Sequence, residues 1–375
     1  MSDKTFPLVE MEGSPFDMGY QHGSQAKAMI ALNMEMFHRT IAEDPWGLLP
    51  KTAAKLSFEQ LVDLASKSLP YTNECAPELV EEMRGIARGS GFTLEQIFAL
   101  NSDADVWITL FGTALGGGLG QGCSTYAAGK GATRDGSTYV GWNADTMAWF
   151  AETSVILKGR PQGGLPFLCW NYAGVVGRPG VNPYLGVTGN GLWPYNCSPG
   201  VPLSVLFRMV LQQESLADAI AAIRGTRRMS GINYTLGDTE GNVAAVETTS
   251  DRAALVPTTM GKVVHTNHIV TDELLPYDGL RSPDLCGSDL LRNSQMRLKR
   301  LTEMLMEKEP ESITLEDLKA AHRDHANKPD SVCRHSDGDD GGAMTLLSMI
   351  CQPARSRMLV AFGPPCEHDF VEYVL

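Results

Sequence analysis

Phe111-Gly112-Thr113-Ala114-Leu115-Gly116-Gly117-Gly118-Leu119-Gly120-Gln121-Gly122-Cys123-Ser124 is the stretch on which the reading of this chain turns. Five glycines crowd residues 116–122. Such a run is costly to order and offers few side chains to pack. It reads either as a linker between domains or as a loop leading into a processing site. Before it the patterning is mainly helical. A strand is expected at Leu8–Glu12 and a turn at Gly13-Ser14-Pro15. Helices are expected over Ser24–Ala42, Phe58–Leu69 and Pro77–Arg88, and another from Thr93, with Glu95 and Gln96 as opening signals, to Leu100.

After Cys123 strands dominate. Ser124–Ala128 and Tyr139–Asn143 flank the hairpin signal Arg134-Asp135-Gly136-Ser137, and Ser154–Lys158 and Leu168–Tyr172 follow. A long helical region covers Val201–Arg224. Ile232–Gly237 and Val243–Thr248 are strands joined by a turn at Asp238–Gly241, and Val263–Asn267 is another strand. Helices are expected at Asn293–Leu305 and Leu315–Arg323, before paired strands Met344–Ile350 and Ser356–Phe362. Helices around many antiparallel strands give an α+β class.

The 375 residues carry a formal net charge of −13. That balance repels phosphate backbones and argues against nucleic acid, and it offers no attraction to anionic lipid. No apolar run reaches the ~18 residues of a membrane span. The start Met-Ser-Asp-Lys-Thr-Phe-Pro lacks the basic and apolar regions of a signal peptide, so a cytoplasmic location is expected. The eight cysteines have no Cys-x-x-Cys pair. They read as buried thiols with one reactive member.

Cys123 is the candidate for that member. Placed at the start of a strand, its thiol can attack the Gly122 carbonyl, shift the acyl chain from nitrogen to sulfur and leave a thioester for water. Gly122 leaves that carbonyl unobstructed. The α-amine so released, with a reference pKa near ~8, can take the thiol proton, which puts nucleophile and base on one residue. No cofactor is then needed. By residue type alone, a cysteine after a turn is equally an ordinary buried thiol.

Several segments, in order, resemble the isopenicillin N acyltransferase (acyl-CoA:6-aminopenicillanic acid acyltransferase) family of N-terminal-nucleophile (Ntn) hydrolases. They are Gly13-Ser14-Pro15-Phe16-Asp17-Met18-Gly19-Tyr20-Gln21-His22-Gly23-Ser24, Arg84–Gly89, Leu100-Asn101, Gly122–Thr125 through Gly141-Trp142-Asn143-Ala144-Asp145, Val264–His268 and Gly363–Cys366. The resemblance implies a four-layer αββα sandwich with two antiparallel sheets between helical layers. It implies one domain made from two fragments, 1–122 and 123–375, cut between Gly122 and Cys123 and remaining associated. It further implies Cys123 as nucleophile, Asp145 as the carboxylate supporting processing, and Asn233 as an oxyanion-hole donor; Asn143 could hydrogen-bond the same network or simply cap the strand end. One such donor is worth about 3–4 kcal/mol of transition-state stabilisation. The substrate would be a small amide or acyl donor with an amine acceptor, a coenzyme A thioester being one candidate donor by analogy. Trp142, Trp149, Phe150, Trp170 and Trp193 are candidates for lining the acyl pocket. A homo-oligomer is allowed.

The chain departs from the fungal pattern at Gln121, Ser124 and Ala144, and at Gly341-Gly342-Ala343, where an arginine is missing. Penicillin substrates are therefore not carried over. Two other readings stand beside this one. A metal-dependent hydrolase would use His265–His268, His322–His325 or Cys333–Asp337, although none has the spacing of a His-Glu-x-x-His or Cys/His zinc motif. A non-catalytic protein of the same fold would need no Gly-Cys junction. Asp337–Asp340 reads as a flexible acidic loop.

Overall fold

A computed structural model describes residues 5–42, 56–112, 122–281, 289–336 and 343–375. Most of the glycine run (113–121) and the acidic loop at 337–340 lie outside the described residues.

The chain opens with strand β1 (Leu8–Gly13) and seven helices: α1 (Pro15–Gln25), α2 (Lys27–Ala42), α3 (Phe58–Ser66), α4 (Leu69–Cys75), α5 (Pro77–Ser90), α6 (Leu94–Asn101) and α7 (Asp103–Gly112). Strands β2 (Gly122–Ala128), β3 (Tyr139–Met147), β4 (Ser154–Pro161), β5 (Phe167–Tyr172), β6 (Gly180–Val181) and β7 (Leu185–Gly191) follow. Helices α8 (Leu203–Val210) and α9 (Leu216–Gly225) precede strands β8 (Ile232–Asp238), β9 (Val243–Thr248), β10 (Ala253–Val256) and β11 (Lys262–His265). Helix α10 (Asp289–Leu301), continued by a π-helical turn over Thr302–Met306, and α11 (Leu315–His322) lead to β12 (Ala343–Gln352), β13 (Arg357–Phe362) and β14 (Val371–Val374).

Two sheets result. One has the order β1-β4-β5-β6-β7-β8-β9-β10 and the other β11-β2-β3-β12-β13-β14. Among the described residues, every pairing between these strands is antiparallel except the edge pair β1–β4. The period-2 alternation of β3 sets the layers. Val140, Trp142 and Ala144 face inward into the main core, where Trp142 meets Trp170 of the facing sheet with ring centroids 5.3 Å apart. Tyr139 faces the other way, into a second core with Leu301 and Leu305 of the α10 segment and Leu318 of α11. Helices α1–α9 cover the eight-stranded sheet, and α10 and α11 cover the six-stranded one. The arrangement is the expected α+β, four-layer αββα sandwich.

Helices α1 and α5 approach at backbone distance. A Cβ on Gly19 would lie 1.8 Å from the Glu82 carbonyl oxygen, and one on Gly85 would lie 2.1 Å from that of Phe16. The helix pair locks without side chains between its axes, which explains the paired Gly-x-x-x-Gly spacings Gly19/Gly23 and Gly85/Gly89. Sequence patterning read Gly13-Ser14-Pro15 as a turn, but Ser14 is the N-cap of α1 and accepts from the Asp17 N–H, with Pro15 in the first helical turn. The region read as one helix over Val201–Arg224 is two, α8 and α9.

Candidate active site

Strand register places the Gly122-Cys123 peptide. Gly122 pairs with Asp145, Cys123 with Ala144 and Ser124 with Asn143. Alternation then sends Cys123 inward, to an apolar cavity between the sheets, and sends Asp145 and Asn143 outward, toward α10 and α11. The cavity, of about 130 Å³, is walled by Cys123, Trp142, Phe150, Trp170, Trp193 and Phe207 among others. A buried Arg178–Asp103 ion pair supplies polar groups at the same wall. Trp149, also a candidate lining residue, instead stacks on Phe150 with ring centroids 3.7 Å apart and does not reach the wall.

The Cys123 N–H donates to Asn267 Oδ1 at 2.7 Å. Asn267 is itself fixed, donating through Nδ2 to the Gly191 carbonyl at 3.1 Å and through its N–H to Ser294 Oγ at 2.8 Å. Arg297 of α10 is 1% exposed. It donates to the Cys123 carbonyl, to Ser124 Oγ at 3.2 Å and to Asn267 Oδ1 at 2.8 Å. Burial lowers the Arg297 pKa to about 10, against the pull of Asp145, so it remains a cation at neutral pH. Neither Asn267 nor Arg297 was given a role from sequence. The signal for Arg297 was an arginine on the buried face of an amphipathic helix; Asn267 had none beyond its place in Val264–His268.

Asp145 is 2% exposed. Its Oδ1 accepts from Thr345 Oγ1 at 2.7 Å, while its Oδ2 is buried with no hydrogen-bond partner among the described residues. That orphaned oxygen faces Gly122: a Cβ there would come within 2.9 Å of it and 3.1 Å of Arg297 Nη2. A side chain at this position would press on both the carboxylate and the guanidinium. Burial raises the Asp145 pKa to about 6, with Arg334 and Arg297 opposing. Burial and the Asp145 charge push the Cys123 thiol up to about 11. In the continuous chain the sulfur is therefore a thiol at neutral pH, and its use as a nucleophile calls for a base.

Asn143 does not join this group. Its Nδ2 donates to the carbonyls of His322 and Val332 at 3.0 and 2.9 Å, and its Oδ1 accepts from Ser348 Oγ and His322 Nδ1. It fastens α11 and the following segment to the sheet. Asn233, 0% exposed, lies in a buried polar chain between the sheets. Its Nδ2 donates to Asn190 Oδ1 at 3.1 Å and Thr235 Oγ1 at 2.9 Å, and its Oδ1 has no partner among the described residues. It is not on the cavity wall.

The histidines weighed as metal ligands are scattered in the same way. His265 pairs with Glu247 at 2.7 Å, His268 lies 2.7 Å from Ser294 Oγ, and His322 lies 2.9 Å from the Tyr126 hydroxyl. Among the described residues of those three segments, only His325, Cys333 and His335 come together.

A strand-borne cysteine with a buried carboxylate behind the preceding glycine, opening on an apolar cavity in an αββα sandwich, defines a class of acyl-handling scaffold. Comparison with known families agrees. Residues 132–367 match the model of the acyl-coenzyme A:6-aminopenicillanic acid acyl-transferase family, and the chain belongs to that family. It is 26% identical over 366 residues to the acyl-coenzyme A:6-aminopenicillanic-acid-acyltransferase 40 kDa form of Emericella nidulans, covering 96% of this chain and 94% of that protein. An uncharacterized protein of Archaeoglobus fulgidus is 26% identical over 276 residues, covering 66% of this chain and 44% of that one. Among solved structures, a mutant of conjugated bile acid hydrolase from Clostridium perfringens aligns with a TM-score of 0.44 and 12% identity, over 68% of this chain and 97% of that one. No helix among the described residues is long and apolar enough to cross a membrane.

Proposed function

We propose that the chain is a cysteine amidohydrolase or N-acyltransferase that activates itself by cutting between Gly122 and Cys123. The observation that carries this reading is the packing of Gly122 against the unpartnered Asp145 Oδ2, with Cys123 facing the cavity from the next position. In processing, the Cys123 thiol adds to the Gly122 carbonyl. The C–N bond breaks, the amine takes the proton, and water hydrolyses the thioester. Products are the Gly122 carboxylate and a free Cys123 bearing both thiol and amine.

The new amine inherits the Asn267 acceptor and gains Asp145 Oδ2 as an acceptor, supplying the hydrogen bond that this oxygen lacks in the continuous chain. In its neutral form the amine takes the thiol proton. The thiolate attacks an amide or thioester carbonyl, the leaving amine or thiol departs with a proton, and water or an amine resolves the acyl-enzyme. Asn233 is the proposed oxyanion donor; to serve, its Nδ2 must turn from Asn190 or Thr235 toward the oxygen. Family membership supports acyl transfer chemistry, and the name of the fungal relative makes coenzyme A thioesters reasonable donors to try.

The cavity favours a small apolar acyl group. A cavity of about 150 Å³ lined by apolar side chains holds a benzene ring, and this one is of that order. The two fragments are expected to stay together: β1 is hydrogen-bonded along β4, Asn33 and Asn101 donate to the carbonyls of Ala173 and Gly174 at 3.0 Å, and Asp105 accepts from Leu203 N–H and Ser230 Oγ.

Intact-mass measurement and N-terminal sequencing of the purified protein test the reading, with Cys123→Ala alongside. The expected result is two fragments, the larger beginning at Cys123, and an uncut Cys123→Ala chain inert toward a panel of N-acyl amines and thioesters. A continuous chain that turns over those substrates, or a Cys123→Ala variant that does, would remove the mechanism.

A further inference from the structure

Far along the sequence from Cys123, four side chains from three segments converge. His325 follows α11, Cys333 and His335 lie on the segment before β12, and Cys366 lies in the loop between β13 and β14. Their ligand atoms all fall within 4.8 Å of one another. His325 Nε2 is 3.0 Å from His335 Nε2, and Cys366 Sγ is 3.2 Å from it. Cys333 Sγ is 3.8 Å from His335 Nε2 and 3.7 Å from Cys366 Sγ.

A tetrahedral ion with Zn–S near 2.3 Å and Zn–N near 2.0–2.1 Å holds its ligands roughly 3.3 to 3.8 Å apart. The observed separations bracket that shell. The sulfur–sulfur distance is far from the ~2.05 Å of a disulfide. We propose that His325, Cys333, His335 and Cys366 form a structural zinc site.

The surroundings fit a metal. Glu367 Oε1 lies 3.2 Å from His335 Nδ1, so the carboxylate holds the ring with Nε2 turned to the cluster, as carboxylates do behind zinc-bound histidines. The segments are independently tied: the Cys333 N–H donates to the Asp324 carbonyl at 2.9 Å and Arg323 Nε to the Pro365 carbonyl at 2.8 Å. Two thiolates and two neutral imidazoles balance one divalent cation and favour zinc over magnesium or calcium. Four protein ligands leave no open position, which makes the site structural rather than catalytic.

Its position gives it a task. Arg334, between the two ligands of the central segment, exchanges hydrogen bonds with Thr345, donating to its Oγ1 at 2.9 Å and accepting its N–H at 3.1 Å. Thr345 in turn holds Asp145. The ion clips the segment that supports the carboxylate behind Gly122. The inference is independent of the Cys123 chemistry.

The test uses the full-length protein expressed with zinc and measured for metal against protein concentration, then stripped with chelator and titrated with zinc alone or cobalt alone. About one equivalent of zinc per chain is expected, with the visible bands and thiolate-to-metal charge transfer of tetrahedral cobalt. Glu367→Gln, at an exposed position, should weaken zinc affinity about 10- to 100-fold. Cys366→Ser should weaken the charge-transfer band, since only the Cys333 thiolate would remain, and Cys75→Ser, at an exposed thiol elsewhere, should change nothing. Substoichiometric zinc with no cobalt spectrum in the wild-type chain would overturn the proposal, as would a Cys333–Cys366 disulfide by mass in freshly purified protein. The wild-type measurements decide the matter even if Cys366→Ser misfolds.

Discussion

Replacing Asp145 by asparagine should make the uncut chain more stable at neutral pH, by an amount that vanishes in acid. The carboxyl's folded pKa of about 6 stands above its ordinary 3.8, chiefly through burial. The sign follows directly. A raised carboxylate pKa contributes stability that is fully present below 3.8 and is lost as pH rises through about 6. At 1.36 kcal/mol per unit, the gap corresponds to about 3 kcal/mol of strain at pH ~7. Asparagine resembles the neutral carboxyl, keeps an acceptor for Thr345 and carries no charge to desolvate. The comparison is Cys123→Ala against Cys123→Ala/Asp145→Asn, so that both chains are continuous, by urea denaturation at pH ~7 and pH ~4. The double variant should be more stable by about 3 kcal/mol at the higher pH and equal within ~0.5 kcal/mol at the lower. In a wild-type background Asp145→Asn should block or retard cutting. If asparagine destabilises the chain equally at both pH values, the carboxylate is an ordinary structural anchor, and its proposed partnership with a new ammonium loses its basis.

Gly122→Ala should slow the appearance of fragments by at least about tenfold while leaving the fold intact, because its Cβ meets Asp145 Oδ2 at 2.9 Å and Arg297 Nη2 at 3.1 Å; cutting at the wild-type rate on a time course of intact mass would contradict the close packing. Asn233→Ala should lower turnover about 10²–10³-fold and also cost about 1–3 kcal/mol of stability, since Asn190 and Thr235 lose a partner; a turnover loss no larger than the unfolded fraction explains would end its oxyanion assignment. Gly85→Ala should destabilise the protein by about 1–3 kcal/mol by forcing α1 from α5, and a change under ~0.5 kcal/mol in denaturant midpoint analysis would show that the helices yield freely.

Much of this architecture was legible because short-range physics determined it. Thr93 and Gln96 form the capping box that opens α6, and Asp135 accepts from the Ser137 N–H in the β2–β3 turn. Those signals are contained in a few adjacent residues. Helix α1 was misread because Ser-Pro serves equally for a turn and for a helix start, and its glycines lower helix propensity for the sake of contact with α5. Strands β6 and β7 escaped notice: Gly180-Val181 is too short for a pattern, and Leu185–Gly191 is rich in glycine. At the site, Cys123, Gly122 and Asp145 were singled out through family likeness together with the chemistry of a Gly-Cys junction, and their roles are proposals. Arg297 and Asn267 reach Cys123 across 174 and 144 residues of sequence, and no local pattern encodes such meetings. His325, Cys333 and His335 come from the connection between α11 and β12 and Cys366 from the loop between β13 and β14, so their spacing carries none of the signature of a zinc motif.

The parallel union of β1 with β4 bears on how this protein can be handled. Residues 123–375 produced alone would carry β4 as a bare margin of the large sheet, its row of amides and carbonyls open to any passing strand, and would lack helices α1–α7, keeping only α8 and α9 over that sheet. Such a polypeptide should precipitate rather than mature. If the chain is cut between Gly122 and Cys123 as proposed, the two pieces could regain their form after denaturation only by finding each other, at a rate that rises with their concentration. Recombinant production should therefore begin from the intact gene product.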